Sequence, residues 1–303
     1  MENNMLKKEV FTFNSVSDHL TLEAELIAPT ANLCGIVQFS HGMAEHKERY
    51  EDFMTFLASH GFAAIIHDHR GHGSSVKNQA DLGYFYTKDT DAIVEDLYSM
   101  TKIVKNKYPS LPLYLFSHSM GTLVARKYLK HHDQELQKLV LCGAPTQNPA
   151  ANSALMLAKI ACRIQGDKHR NKLLNKLAFG EANKKFGQIN AWLSSDQAEV
   201  EKYQQDPLCG YIFTNNGFFN LFQLMKEAFD NWQANNRNLP ILLIAGSDDP
   251  IIQNAQKFAQ LETFLNEVGY HHTKSILYEN MRHELLNEKN KHTVYNDVLK
   301  FLL

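Results

Sequence analysis

The stretch from Leu113 to Val124 constrains this chain more than any other. Leu113-Tyr114-Leu115-Phe116 reads as a short apolar strand, Met120 onward reads as a helix, and only Ser117-His118-Ser119 lie between them. Such a turn leaves Ser119 at its tip. Its hydroxyl is presented outward, and the next backbone N–H, that of Met120, sits at a helix start, where an anionic oxygen is stabilised. Strand and helix approach so closely that the residues two before and two after the tip must be small. Gly121 meets the requirement, and Ser117 stands where glycine is more usual. Shifting the tip to Ser117 would put Leu115 and Ser119 at the crowded positions, so the register stays on Ser119. The bland alternative is a serine that only caps its helix.

A serine hydroxyl is a poor nucleophile without a base and an acid that orients the base, which a chain of this type carries after later strands in the order Ser, Asp, His. Both are available. Gly246-Ser247-Asp248-Asp249-Pro250 follows the apolar run Leu239 to Ala245, and His283 follows the strand ending at Tyr278. His283 would take the Ser119 proton and later deliver it to a leaving group, while the acid would hold its tautomer. Either Asp248 or Asp249 fits, since each can also cap the helix that follows. A second oxyanion donor is expected after an early strand. His41-Gly42-Met43 follows Ile36 to Ser40, where Gly42 lets the backbone turn closely and the Met43 N–H can face the tip.

The surrounding pattern is that of an α/β protein with a mostly parallel sheet. Strands are expected near Val10 to Phe13, Leu20 to Ile27, Ile36 to Ser40, Ala63 to His67, Leu113 to Phe116, Leu139 to Cys142, Ile241 to Ala245 and Ser275 to Tyr278. The first two look antiparallel, and the later ones are short apolar runs suited to cover by helices on both faces. Between them Ile93, Leu97, Met100 and Val104 recur with helical period, leaving Glu95, Asp96, Lys102 and Lys105 to solvent. Phe53, Phe56 and Leu57, and again Phe258, Leu261 and Leu265, mark two more packing helices.

The rhythm breaks between Thr146 and Arg237, where no clear strand appears. A chain of 303 residues allows two domains or one with an insertion. We expect the second, with a body of residues 1–145 and 238–303 and a helical lid or cap over 146–237. Ala150 to Ile164 carries only Lys159 and Arg163 as charges, and Phe218 to Met225 is rich in phenylalanine. Helices so apolar need cover on several sides or a lipid-like ligand, so they either line an acyl channel or pack on the body.

His67-Asp68-His69-Arg70-Gly71-His72 suggests a different chemistry, a zinc hydrolase using His67, His69 and His72. The usual form of that motif has an Asp just before the third histidine, where this chain has Gly71. A structural loop with Asp68 and Arg70 in hydrogen bonds is the simpler expectation. Thirty-one basic against 33 acidic residues give no global reason to bind nucleic acid. No apolar run approaches the ~20 residues of a membrane span, and the N-terminus lacks a secretory pattern. Four scattered cysteines without a Cys-x-x-Cys pair suit free thiols in the cytoplasm.

Taken together, His41-Gly42-Met43-Ala44-Glu45-His46 with Arg49-Tyr50, Asp68-His69-Arg70-Gly71-His72-Gly73, the Ser119 tip, Gly246-Ser247-Asp248-Asp249-Pro250 and His283 resemble the monoacylglycerol lipase and lysophospholipase branch of the α/β-hydrolase fold, related to the serine aminopeptidases. Trp192 to Asp196 and Tyr203 to Cys209 are similar to the lid of that branch. The resemblance implies hydrolysis, without a cofactor or metal, of a small-molecule ester with one long acyl chain, through an acyl-enzyme. It places the acid on Asp249 and the oxyanion donors on Met43 and Met120. Ser117 is the one clear departure. The basic stretch Lys168, Arg170, Lys172, Lys176, Lys184 and Lys185 would then bring the lid into transient contact with an anionic membrane surface or a lysophospholipid phosphate, or else be a solvated helix face. A non-catalytic ligand-binding protein on the same scaffold is the remaining alternative.

Overall fold

The strands β1 (Leu6–Asn14) and β2 (Thr21–Pro29) form an antiparallel hairpin on the edge of a single sheet. Then follow β3 (Gly35–Ser40), α1 (Glu51–Ser59), β4 (Phe62–His67), α2 (Asp91–Lys107), β5 (Leu113–His118), α3 (Met120–His132) and β6 (Lys138–Cys142). Four helices come next: α4 (Ala151–Gln165), α5 (Lys172–Phe186), α6 (Gln197–Gln205) and α7 (Asn215–Glu227). The chain ends with β7 (Pro240–Gly246), α8 (Ala255–Val268), β8 (His272–Tyr278) and α9 (Lys291–Leu302). The computed structural model describes residues 5–303. The sheet order is β1-β2-β4-β3-β5-β6-β7-β8, with β2 antiparallel to β4 and every later pairing parallel.

Each strand expected from the sequence is present. The central ones are buried along their whole length because alternate side chains enter two different cores. Ile36, Leu115 and Leu243 point to the side packed by Leu97, Met100 and Leu123 of α2 and α3. Val37, Phe116 and Ile244 point to the other side, against Phe53 of α1 and Tyr295 of α9. The edge strand β8 departs from the expectation of cover on both faces. It pairs only with β7 and leaves His272, Lys274 and Ser275 exposed.

One charge on α2 is also misplaced by periodicity. Asp96, expected in solvent, is fully buried and accepts a 2.7 Å hydrogen bond from Arg70 Nε. Arg70 is equally buried and also donates to Ser15 Oγ, Asp18 and the Phe85 carbonyl. The loop after β4 therefore lies across the helix and covers a face that would otherwise be wet.

Between β6 and β7 the only β pairing among the described residues is an isolated bridge from Arg170 to Thr214. Helix α4 packs on α7, but its far side lacks the cover expected of so apolar a helix: Met156, Ile160 and Ile164 are exposed. Part of the basic stretch is used locally. Lys168 pairs with Asp81 at 2.6 Å, Arg170 donates to the Ile212 and Ala80 carbonyls, and Lys185 donates to the Asp248 carbonyl. No helix of the described residues is long and apolar enough to cross a membrane.

Removing one member of a buried ion pair strands the other charge. Asp96→Ala should therefore lower the unfolding free energy by about 3 kcal/mol in urea titration. A loss below about 1 kcal/mol would show that Asp18 alone satisfies Arg70.

Candidate active site

Strand β5 delivers Ser119 to a backbone position that few residues occupy, with φ +50° and ψ −120°. The strain is held by its surroundings: the Ser119 N–H donates to the Cys142 carbonyl at 2.9 Å, and its carbonyl accepts from the N–H and hydroxyl of Thr122. A Cβ at Gly121 would lie 2.0 Å from the Ser40 carbonyl oxygen, so only glycine fits two residues after the tip. Ser117, the departure two residues before it, is buried with its hydroxyl donating to the Val140 carbonyl at 3.0 Å. The neighbouring strand thus absorbs the extra oxygen, and the turn keeps its shape.

Ser119 Oγ lies 2.8 Å from His283 Nε2, and His283 Nδ1 lies 2.9 Å from Asp249 Oδ2. With Nδ1–H donating to the carboxylate, Nε2 is left as the acceptor for the serine hydroxyl. Asp249 is buried, and its other oxygen accepts the Ile251 N–H at 2.8 Å. Asp248 is half-buried and contributes its backbone, donating to the Met281 carbonyl. Local structure thus separates two aspartates that the sequence alone leaves equivalent.

The turn after β3 reaches the same place. A Cβ on Gly42 would come within 3.2 Å of Ser119 Cβ, which puts the Gly42–Met43 peptide beside the serine. Among the described residues neither the Met43 nor the Met120 N–H donates a hydrogen bond. Two unused donors next to a hydroxyl that a histidine can deprotonate form an arrangement able to stabilise a tetrahedral oxyanion.

Behind these groups lies a charged network that sequence reasoning did not assign. Glu45 accepts from the Gly42 N–H at 2.6 Å, the Tyr50 hydroxyl at 2.8 Å and Arg49 at 2.7 Å, and meets His118 Nδ1 at 3.1 Å. Arg49 also grips Glu284, the residue after His283, with both terminal nitrogens. Burial works against charge here and is the largest single influence, but the Glu45–His118 hydrogen bond together with the attraction of Arg49 for Glu45, and of Glu45 and Glu284 for His118, outweighs it, holding the carboxyl well below its usual range and the imidazole above its own. The signal was available in the spacing: Glu45 and Arg49 are four residues apart, and Glu45 lies three residues after Gly42.

His67, His69 and His72 do not form the expected rival metal site. They lie buried beneath the His41 turn as packed rings: His69 meets Ser40 Oγ at 2.9 Å, His72 bonds the Arg70 carbonyl, and both nitrogens of His67 lack partners. Among the described residues the donor atoms that do converge are those of His46, Asp206 and Cys209. Asp68 and Arg70 are in hydrogen bonds, as expected for a structural loop.

Ser119 opens on a cavity of about 630 Å³. Its lining includes Glu45, His118, His283 and Glu284 together with the apolar side chains Leu157, Leu177, Leu221, Phe222 and Met225. No lysine or arginine is among its lining residues.

The sequence profile described as serine aminopeptidase, S33, of the Hydrolase_4 family, matches residues 31–290. The chain belongs to this family. Among its relatives, a monoacylglycerol lipase of Mycolicibacterium smegmatis is 26% identical over 91% of this chain and 90% of its own. A thermostable carboxyl esterase of Bacillus coagulans, solved in complex with glycerol, superposes with a TM-score of 0.88 at 26% identity over 97% of both chains. A soluble variant of the monoglyceride lipase of Saccharomyces cerevisiae, bound to a substrate analogue, has the same fold, with a TM-score of 0.75 at 19% identity over 97% of this chain and 94% of that one. This Hydrolase_4 member is therefore a hydrolase of α/β-hydrolase fold, and the expected fold class holds.

The buried histidines make its stability sensitive to acid. Burial, reinforced by the nearby His41, pushes His67 and His72 down to about 3. In the unfolded chain they titrate near 6.5, so below that pH the unfolded state binds protons that the folded state does not. Stability present above pH 6.5 is lost as pH falls toward 3, at about 1.4 kcal/mol per pH unit for each group. Urea unfolding at stepped pH should show this slope, and His67→Leu should flatten it; an unchanged slope in that variant would exclude His67 as a source.

Proposed function

We propose that the protein is a serine ester hydrolase acting on neutral, monoacylglycerol-like lipids. The observation that carries the reading is the hydrogen-bonded chain Ser119–His283–Asp249, whose serine and histidine open on a largely apolar cavity. In the proposed reaction His283 Nε2 accepts the Ser119 proton as Oγ attacks the ester carbonyl. The oxyanion is held by the Met43 and Met120 N–H groups, and the His283 imidazolium is stabilised by Asp249. Collapse breaks the carbonyl–oxygen bond to the alcohol, which leaves with the proton from His283. Water then attacks the acyl-serine by the same route in reverse, releasing the fatty acid and restoring Ser119.

The acyl chain would lie along Leu157, Leu177, Leu221 and Phe222. The charge of the lining supports the choice of head group: Glu45 and Glu284 are already paired with Arg49, and with no lysine or arginine lining the cavity a phosphate would find no free cation, which favours an alcohol bearing hydroxyls. Residues 146–237 act in this reading as a lid over the cavity, with the uncovered side of α4 touching the lipid surface. Four free cysteines, three of them buried, agree with a cytoplasmic protein.

Ser119→Ala should lower kcat on the order of 10⁴-fold. Asp249→Asn should follow it closely, and Asp248→Asn should not. A rate profile over glycerol esters of rising acyl length should climb from acetate to long chains, with lysophospholipid of the same chain about tenfold slower or more. Retained turnover in Ser119→Ala would overturn the mechanism; a preference for acetate would overturn the lipid assignment.

A further inference from the structure

The segment from Ala191 to Gly210, inserted between β6 and β7, is bonded to both loops that frame Ser119. At one end the Trp192 and Leu193 carbonyls accept the His283 and Glu284 N–H groups at 3.3 and 2.7 Å. Arg282 donates to the Ala191 and Ser194 carbonyls, Ser194 Oγ donates to the Asn287 carbonyl, and the Trp192 ring packs 5.1 Å from that of His283. At the other end the Ala44 carbonyl accepts both the Tyr203 hydroxyl and the Gly210 N–H at 3.0 Å. Asp206 pairs with His46 at 2.8 Å, and the Arg49 guanidinium lies 4.8 Å from the Tyr203 ring centroid.

Ala44 is the residue that needs this support. Its φ is +52°, a left-handed conformation that a side-chain-bearing residue holds only when its neighbours impose it. On its N-terminal side the Gly42 N–H is fixed by Glu45. Met43 therefore lies between two pinned residues, one tied to the body and the other to the inserted segment.

We propose that Tyr203 is a positioning residue for the oxyanion turn: through the Ala44 carbonyl its hydroxyl sets the direction of the Met43 N–H. The inference rests on the serine-hydrolase reading, and it divides the inserted region by role. Residues 191–210 complete the site and stay in place, and α4 and α5 carry the exposed apolar surface. Tyr203 also borders the cavity, so a direct contact with the substrate alcohol is the competing role. The two roles separate after the alcohol has left, because the oxyanion forms again when water attacks the acyl-enzyme.

The test is the deacylation rate in burst experiments with p-nitrophenyl esters, alongside kcat/KM for glycerol esters. Tyr203→Phe should slow deacylation about tenfold and lower kcat/KM by a similar factor whatever the alcohol, with an unchanged unfolding midpoint. Asp206→Ala, which cuts another tie of the same segment, should act in the same direction and decides the matter if Tyr203→Phe does not fold. Wild-type deacylation in the folded variants, or a loss confined to glycerol esters, would overturn the proposal. Failure of the wild-type enzyme to turn over any ester would instead overturn the serine-hydrolase reading beneath it.

Discussion

The structure depends on how closely helix α3 approaches the end of β3. With the Gly121 Cα close to the Ser40 carbonyl, the chain leaving β5 must reverse within a single residue, and Ser119 takes up the unfavourable φ and ψ that result. Strain of this kind costs on the order of 1–3 kcal/mol and survives only where neighbouring bonds over-determine the conformation. Here the Cys142 carbonyl and Thr122 do so, and the parallel pairing of β5 with both β3 and β6 gives them fixed positions. The crowding that strains the serine also brings the Gly42 turn against it.

Around this point polar groups are buried in unusual number. Glu45, Arg49, His118 and Glu284 exchange hydrogen bonds between the turn after Gly42, the residue before Ser119 and the residue after His283. Such networks gain little net stability, because desolvation offsets attraction. What they supply is register: three loops from distant parts of the chain cannot shift independently without breaking a charge-assisted bond.

Much of this was legible in the sequence, for reasons that also explain the misses. Buried parallel strands announce themselves as unbroken apolar runs, and the crowded turn demands Gly121, so the sheet and the positions of Ser119 and His283 could be read directly. Asp96 was misread because helical period assigns a charge to solvent unless its partner is known, and Arg70 lies 26 residues earlier on a loop. Asp248 and Asp249 are chemically identical neighbours, distinguished only by which one the turn after β7 directs inward. Which side of α4 stays uncovered could not be read, because composition reports how apolar a helix is, not how much protein surface is available to cover it. The ties from Tyr203 and Trp192 join segments roughly 90 to 160 residues apart, beyond the reach of any local pattern.

The cavity wall has a kinetic consequence. Leu157, Leu177 and Ile189 each line the cavity while remaining 45%, 57% and 68% exposed, so this part of the wall is built of side chains that the protein packs only lightly. Side chains of this kind change rotamer in picoseconds to nanoseconds, whereas loops and helices move in microseconds or longer. Where the cavity yields by rotamer change at these positions, its volume adjusts to ligands of different length faster than any backbone movement could reshape it.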